Sequence, residues 1–442
     1  MTAQTLFRAI GEVDEAMLQD AVEAAAQPVK RRPPVRFGAG LATAACAVLL
    51  AAAVLGVVAP VASKGGAGEM NTAGAPQEAM ASDEALHEFS LKEANGAGFG
   101  MEAVMVREES ELAPSAWPVS SGEAPASLTV YENARPADFA GAREYTQEEL
   151  SALAQQTADA LGFEVESVEI SPTEAQRQAT MEKFEAAGLL PSEEDTPEVA
   201  AEKQAQLDYN LAPDSAAAVC TNGAVVTASR AGTVRVELAE NFDVALDTED
   251  AQAYAAAVQQ LADEYGAAFG LQAPQAAVQA EYTFEGALHL THFVWDAAAQ
   301  PAQQLVFASC GRLSFSGGES GAILYEQPQL GQALGEYPLI SESEARTMLL
   351  QGQCLTSVPY AVESEADIAA VELCYREGSE VYAPWYRFWV KLPEEEQQNC
   401  AEGCTAYGAY YVSAISGQFA TDLPGTQWND SAPAAQSGPY GG

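Results

Sequence analysis

A long uncharged run near the N-terminus is the clearest pattern in the chain. Residues 37–63 contain no Asp, Glu, Lys or Arg and are rich in Ala, Leu and Val. About 20 apolar residues suffice for a helix to cross a bilayer, so the run predicts one transmembrane helix. Four basic residues lie just before it and only Lys64 lies just after it. The positive-inside bias therefore places the N-terminus in the cytoplasm and the remaining chain outside the cell membrane.

A competing interpretation of the run is a secretory signal that is cleaved near Val61-Ala62-Ser63. Such signals have shorter apolar cores, and their basic region lies closer to the N-terminus. The run therefore favours a retained membrane helix, and cleavage remains the alternative.

The predicted cytoplasmic tail, residues 1–36, carries an amphipathic pattern. Large apolar residues recur at helical spacing, and acidic residues occupy much of the other face. A short helix with an apolar stripe and no domain of its own suggests a partner groove. The alternatives are a tail that lies on the lipid surface or one that is merely frayed, and the acidic face argues against lipid. The candidate partner-binding residues are Leu6, Phe7, Ile10, Val13, Met17 and Leu18.

Beyond the membrane run, the pattern divides the chain into further segments. Residues 64–126 are rich in Gly, Ala, Pro, Ser and Glu, which predicts a flexible spacer with a short strand near residues 101–106. Residues 423–442 predict a disordered tail.

Three stretches between these segments share one pattern, a capped helix followed by β-rich runs. The helix starts are predicted at Thr146-Gln-Glu-Glu149, Asp247-Thr-Glu-Asp250 and Ser341-Glu-Ser-Glu344. Alternating runs follow each helix, including QLVFASCGRLSF (residues 304–315) after the second. The pattern predicts an α+β fold of repeated helix-plus-antiparallel-sheet modules, with two units in residues 127–330 and one in residues 331–422.

Several phrases resemble regulatory membrane proteins of Gram-positive bacteria (Firmicutes) that are encoded beside sigma factors. In the tail, the resemblance lies in the segment Ala9-Ile10-Gly11-Glu12-Val13-Asp14 and in Leu18. A group of basic residues and one membrane helix follow. In the ectodomain, Tyr337-Pro-Leu-Ile340-Ser341-Glu-Ser-Glu344-Ala345 and Tyr410-Tyr-Val-Ser-Ala-Ile-Ser-Gly417 are similar to PepSY-type modules. YycH/YycI regulators, which restrain a sensor kinase through a membrane helix, have a similar layout. The resemblance implies a PepSY-like C-terminal module, signal transduction, and a cytoplasmic sigma factor or signalling kinase as partner.

Charge restricts the partners further. The 442 residues include 63 acidic and 20 basic side chains, for a net charge of −43. The first 62 residues are balanced, so the predicted outer region carries the whole excess. An acidic surface repels phosphate backbones, which argues against nucleic-acid binding.

The common catalytic motifs are missing from the sequence. It contains no P-loop, GxSxG, HExxH, CxxC or EF-hand loop. His289 and His292 lie three apart in a predicted strand and so face opposite sides, which disfavours a shared metal site. We therefore expect no enzyme activity, no metal and no cofactor, although a glycosidase-like acidic pair is an open alternative among so many carboxylates.

The cysteines of the outer region leave the redox state open. Six of them permit three disulfides, and the sharpest candidate pair is Cys400 and Cys404 across a short loop. Free thiols are an equally good interpretation if the source is anaerobic.

The strand pattern of residues 382–392 suggests a ligand face. Alternation places Trp385, Arg387, Trp389 and Lys391 on one side, where two tryptophans framing an arginine could bind an anion, peptide or sugar. The alternative is that both sides of this strand are covered by packing.

Two functions are consistent with these patterns. The first is a membrane-anchored regulatory or sensor protein that couples an extracytoplasmic domain to a cytoplasmic partner. The alternative is an extracytoplasmic peptide- or glycan-binding module whose tail only sets topology.

Overall fold

The computed structural model describes residues 86–92, 102–112, 125–137, 142–193 and 195–422. This part of the chain is α+β, with mainly antiparallel sheets, as predicted. The helices are α1 (Gln147–Ala160), α2 (Glu174–Ala186), α3 (Pro197–Leu211), α4 (Ala251–Tyr265), α5 (Pro301–Cys310), α6 (Glu342–Leu350) and α7 (Glu394–Gln397). The strands are β1 (Phe89–Ser90), β2 (Ala103–Val106), β3 (Ser127–Asn133), β4 (Val165–Ser171), β5 (Ser215–Cys220), β6 (Val225–Ser229), β7 (Thr233–Glu237), β8 (Pro274–Tyr282), β9 (Leu288–Asp296), β10 (Arg312–Ser316), β11 (Ala322–Glu326), β12 (Leu330–Pro338), β13 (Ile368–Glu377), β14 (Val381–Lys391), β15 (Thr405–Ser413) and β16 (Ala420–Thr421).

The membrane prediction falls outside these ranges. None of the helices in the described part is both long and apolar enough to cross a membrane. Residues 1–36, 37–63 and 423–442, which were predicted as tail, membrane helix and C-terminal tail, are not among the described residues.

Side-chain caps start the helices where the sequence places them, with one exception. Thr146 accepts a hydrogen bond from Glu149 N, and Ser341 accepts one from Glu344 N. The second predicted start is wrong by three residues: Asp250, not Asp247, caps α4 by accepting from Gln252 N and Ala253 N.

Sheet I is buried on one face and half-buried on the other at its centre. Its strand order is β10-β11-β7-β6-β5-β4, and buried and half-buried positions alternate along β5, β6 and β7. The buried face packs on α1 and α4. Several of its positions are alanines, such as Ala216, Ala218 and Ala228, whose small side chains leave room for the helices.

Sheet II is covered on both faces at its centre. Its order is β12-β3-β14-β15-β2. A further strand, β13, pairs with β14 outside this order. Nine of the eleven residues of β14 are buried, with Arg387 half-buried and Lys391 exposed. The inner core beneath it is formed with α5, α6 and the ribbon β8–β9. The outer core on the opposite face is closed by residues 86–91, 104–112 and 415–420.

The sheets do not follow the predicted domain boundaries. β3, from the predicted region 127–330, pairs with β12 and β14 of the C-terminal region. β10 and β11 of the second predicted unit extend the sheet of the first through β7. The predicted spacer, residues 64–126, contributes β1 and β2, which pair with β16 and β15. These pairings join segments far apart in sequence, so local periodicity does not indicate them.

One predicted strand is a helix. Residues 301–310 form α5, which begins with Pro301 in its first turn and reciprocal side-chain contacts between Gln300 and Gln303. The helix then closes the open edge of β13: Tyr375 N donates to Ser309 Oγ at 3.0 Å, and Cys310 Sγ donates to Tyr375 O at 3.4 Å. Covering an edge in this way removes a site for unwanted strand pairing.

The inner core leaves no room for a side chain at Gly408, which supplies a test of the packing. A Cβ there would lie 2.7 Å from Val358 Cγ2 and 2.9 Å from Leu392 Cδ2. We predict that Gly408→Ala lowers the free energy of unfolding by about 1–3 kcal/mol through overpacking. The urea midpoint of the purified protein measures the loss.

Gly318→Ala is the matched control, because the nearest atom to a Cβ there is Ser320 O at 3.7 Å. It should change stability by less than about 0.5 kcal/mol. Val358→Ala should partly rescue Gly408→Ala. Equal losses of stability in Gly408→Ala and Gly318→Ala would contradict this packing. So would effects of Gly408→Ala and Val358→Ala that simply add in the double variant.

Candidate functional site

The proposed ligand face of β14 lies in the outer core of sheet II. The alternation predicted from the sequence is present: Trp385 and Trp389 face the outer core, whereas Tyr386 and Phe388 face the inner core. Both tryptophans are only 3% exposed. In this arrangement they are covered by packing, which is the alternative interpretation of the pattern, and they do not form an open binding surface.

Glu372 is the centre of a largely buried polar group, the Glu372 cluster, formed by Glu372, Arg387 and Trp389. Glu372 lies directly opposite Arg387 in the β13–β14 ladder and is 2% exposed. Its Oε1 accepts from Arg387 Nε at 2.7 Å and from Trp389 Nε1 at 2.8 Å. Its Oε2 is buried and finds no hydrogen-bond partner among the described residues. The carboxylate is thus satisfied on one oxygen only, which makes the pair costly to disturb.

The Arg387 guanidinium stays charged in this setting. Burial is the largest single influence and lowers its pKa, but Glu372, together with Tyr411 and Cys374, raises the pKa of Arg387 well above its usual value on balance. On the third strand, Tyr411 lies opposite Arg387 in register. Arg376 stacks over the Tyr411 ring at 4.1 Å, and the Tyr411 hydroxyl donates to Glu102 Oε1. Charged and aromatic groups therefore alternate across three strands of the outer face.

Glu372, Arg376 and Tyr411 were missed by the sequence reasoning. A signal was available, because Glu372 lies in the strand segment Val371-Glu372-Leu373-Cys374, where every neighbour is apolar. A carboxylate that is buried in such a strand needs a cation or hydrogen-bond donors as partners. The sequence does not show that Arg387 is that cation, because the partner depends on the strand register.

Thiols and hydroxyls around this face are held protonated. Burial raises the pKa of Cys374 to about 12, and burial also raises the pKa of Tyr411. A protonated thiol is a poor nucleophile and metal ligand. The face is therefore suited to packing and recognition more than to covalent chemistry.

A second polar group joins sheet I to sheet II. Arg143, just before α1, makes two parallel bonds to Glu377 at the end of β13, with Nη1–Oε1 at 2.6 Å and Nη2–Oε2 at 2.8 Å. Asn133 Nδ2 donates to Glu377 Oε1 at 3.0 Å, and Arg143 N donates to Arg230 O at 2.7 Å. Because two N–H groups of the guanidinium match the two carboxylate oxygens, this contact fixes the relative orientation of the Arg143 and Glu377 side chains.

His292 has a structural role. Its Nε2 accepts from Phe315 N at 3.1 Å, so the proton lies on Nδ1, which bonds the Tyr254 hydroxyl at 2.8 Å. The ring thereby ties β9 to the edge strand β10. Burial lowers the pKa of His292 to about 4, with a smaller contribution from the Arg312 charge. His289, the other member of the predicted pair, is exposed on the opposite side of the strand.

The candidate disulfide is not formed. Cys400 and Cys404 are free thiols. Cys400 N donates to Gln397 O at 3.1 Å in the turn after α7, and its thiol donates to Glu396 O at 3.5 Å. Burial raises the pKa of Cys400, and the hydrogen bond gives the thiol a partner other than Cys404.

The predicted partner-binding site of the N-terminal tail is not among the described residues. Leu6, Phe7, Ile10, Val13, Met17 and Leu18 are outside the described residues.

Removing one charge of the buried Glu372–Arg387 pair should lower the free energy of unfolding more than removing both charges. Arg387→Met leaves the Glu372 carboxylate without its cation, and we predict a loss of about 3–5 kcal/mol in unfolding free energy. Glu372→Gln combined with Arg387→Met removes both charges and should be clearly more stable than Arg387→Met alone. Urea unfolding of the three proteins measures this, and equal losses would show that the charge pairing is unimportant.

His292 should make stability fall in mild acid. Its folded pKa is about 4, below the usual unfolded value of about 6.5, so its contribution is complete above pH 6.5 and is lost as pH falls towards 4. We predict that the stability difference between wild type and His292→Gln shrinks by roughly 2 kcal/mol between pH 7 and pH 4.5. The exposed His289 supplies the control, because His289→Gln should leave this pH-dependent loss in place. A difference that is constant with pH would contradict the assignment.

No protein-family model matches the chain, and no curated protein or solved structure shows significant similarity to it. The PepSY-like and YycH/YycI-like resemblance stays a prediction.

Proposed function

We propose that this chain is a single-pass membrane protein with a regulatory or sensory role. Its N-terminal tail would lie in the cytoplasm and bind a sigma factor or a signalling kinase, and its α+β region would lie outside the cell. The observation that carries the proposal is the uncharged run of residues 37–63 with four basic residues just before it.

The arrangement of the folded region supports such coupling. Residues 86–92 are the first described residues after the apolar run, and they lie against the outer face of sheet II. The chain leading from the predicted membrane helix therefore attaches to the C-terminal sheet.

The recesses of the folded region are small and give little support to a function as a small-molecule receptor. One recess, with a volume of about 10 Å³, is lined by Leu91, Arg376, Glu377, Gly378, Val381 and Trp385. Another, of about 40 Å³, lies beside Leu350, Tyr360 and Tyr410. Both are smaller than the roughly 300–1,000 Å³ of typical ligand pockets.

The alternative function is an extracytoplasmic peptide- or glycan-binding module. The residues that suggested it, Trp385 and Trp389, are buried beneath residues of the outer core. A ligand would reach them only after that cover had moved. The regulatory proposal needs no such opening for its cytoplasmic contact.

The predicted tail helix supplies the test. We predict that Ile10→Asp together with Val13→Asp abolishes capture of a cytosolic partner from gently solubilised cells, because two charges would enter the apolar stripe. Mass spectrometry of the co-purified proteins measures capture.

The matched control replaces Glu12 and Glu15, on the predicted acidic face, with alanine. That variant should retain the partner, and both variants should stay in the membrane fraction after alkaline extraction. Unchanged capture by the Ile10→Asp, Val13→Asp protein would rule out this contact surface.

A further inference from the structure

Residues 86–92 form a short segment, here called the strap, that lies across the outer face of sheet II. Its middle is the strand β1, whose one partner among the described strands is β16, in a parallel two-stranded ladder separate from the large sheets. Phe89 N donates to Phe419 O at 3.0 Å, and Leu91 N donates to Thr421 O at 3.0 Å. The strap thus joins the last strand of the described chain.

Aromatic packing provides the second attachment. Phe89 is 6% exposed and packs edge-on against Tyr337, with ring centroids 5.1 Å apart. Tyr337 packs in the same way on Phe419 at 5.6 Å, and its hydroxyl donates to His87 O at 3.0 Å. Phe89 therefore completes an aromatic group whose other members belong to β12 and the C-terminal segment.

The third attachment is the turn between β13 and β14. Ser379 N donates to Lys92 O at 2.9 Å, and Ser90 N donates to Glu380 Oε2 at 3.2 Å. Leu91 lines the recess together with Arg376 and Trp385. The strap therefore covers part of the same face that holds the Glu372 cluster.

The strap is held much less firmly than the sheet beneath it. A two-residue ladder with one partner is marginal by itself, whereas β14 has partners on both sides and is buried on both faces. Two apolar side chains, Phe89 and Leu91, carry most of its burial, and ordering seven residues opposes that gain. Such a segment can open locally without unfolding the core.

We propose that residues 86–92 are a releasable strap, which leaves the outer face of sheet II as one unit and so relays movement of the membrane segment to the ectodomain. The relay rests on the proposed function; release itself does not. Release uncovers Tyr337, Phe419 and the recess beside Trp385. Sheet II stays folded, because residues 104–112 and 415–420 still cover its outer face.

Hydrogen exchange of the full-length protein in lipid nanodiscs tests release. We expect Phe89→Ala to speed exchange in peptides covering the strap by about tenfold or more, because it removes the main buried side chain. Phe89→Leu is the matched control and should change it only slightly. Peptides from β14 and β15 should be unaffected in both variants. Equal acceleration of the strap and β14, or wild-type strap exchange as slow as that of β14, would overturn the proposal.

A disulfide across the β1–β16 ladder provides a second test. Ser90 and Thr421 are partners in register, so Ser90→Cys with Thr421→Cys should form a bridge when diamide is the oxidant. In the Phe89→Ala background the bridge should restore slow exchange of the strap, and dithiothreitol should reverse this. The two single-cysteine variants are controls. A bridge that forms without slowing exchange would contradict release as a unit.

Partner capture separates the two proposals. If the strap relays movement, Phe89→Ala and the bridged protein should shift the amount of captured cytosolic partner in opposite directions. Identical capture by both would overturn the relay. Absence of any cytosolic partner with the wild type would instead refute the proposed function, and the exchange data would still decide whether the strap is released.

Discussion

The fold depends on the burial of β14 on both of its faces. A strand with aromatic and apolar residues at successive positions must be covered from two sides, and one layer of helices covers only the inner face. The outer cover comes from residues 86–91, 104–112 and 415–420, which lie near the two ends of the described chain. The position of these segments therefore depends on β14. Because residues 86–91 are among them, the chain that follows the apolar run lies on the C-terminal sheet.

Two cations of this acidic chain hold carboxylates of the C-terminal sheet in place. Arg387 neutralises Glu372 inside the outer core, and Arg143 clamps Glu377 where the two sheets meet. Both acceptors belong to β13, so one strand is held on its outer face and at its end by guanidinium groups. These contacts and the long β13–β14 ladder hold β13 in the C-terminal sheet, whereas a two-residue ladder holds the strap.

Local patterns predicted the elements that depend on local physics. The caps at Thr146 and Ser341 and the alternation along β14 follow from neighbouring residues and are present. The strand exchange between predicted units and the pairing of Glu372 with Arg387 depend on register between distant segments, which no local pattern contains. Residues 301–310 combine apolar bulk with helix-forming glutamines, and the need to close the edge of β13 favours the helix.

The central claim is that a membrane helix separates a cytoplasmic tail from this folded region, and tag accessibility in intact cells tests it most directly. One tag would precede residue 1 and another would follow residue 442, each probed with an impermeant reagent before and after permeabilisation. The account predicts that the C-terminal tag reacts in intact cells, that the N-terminal tag reacts only after permeabilisation, and that both remain on one chain. A C-terminal tag shielded in intact cells, or loss of the N-terminal tag from the mature chain, would contradict it.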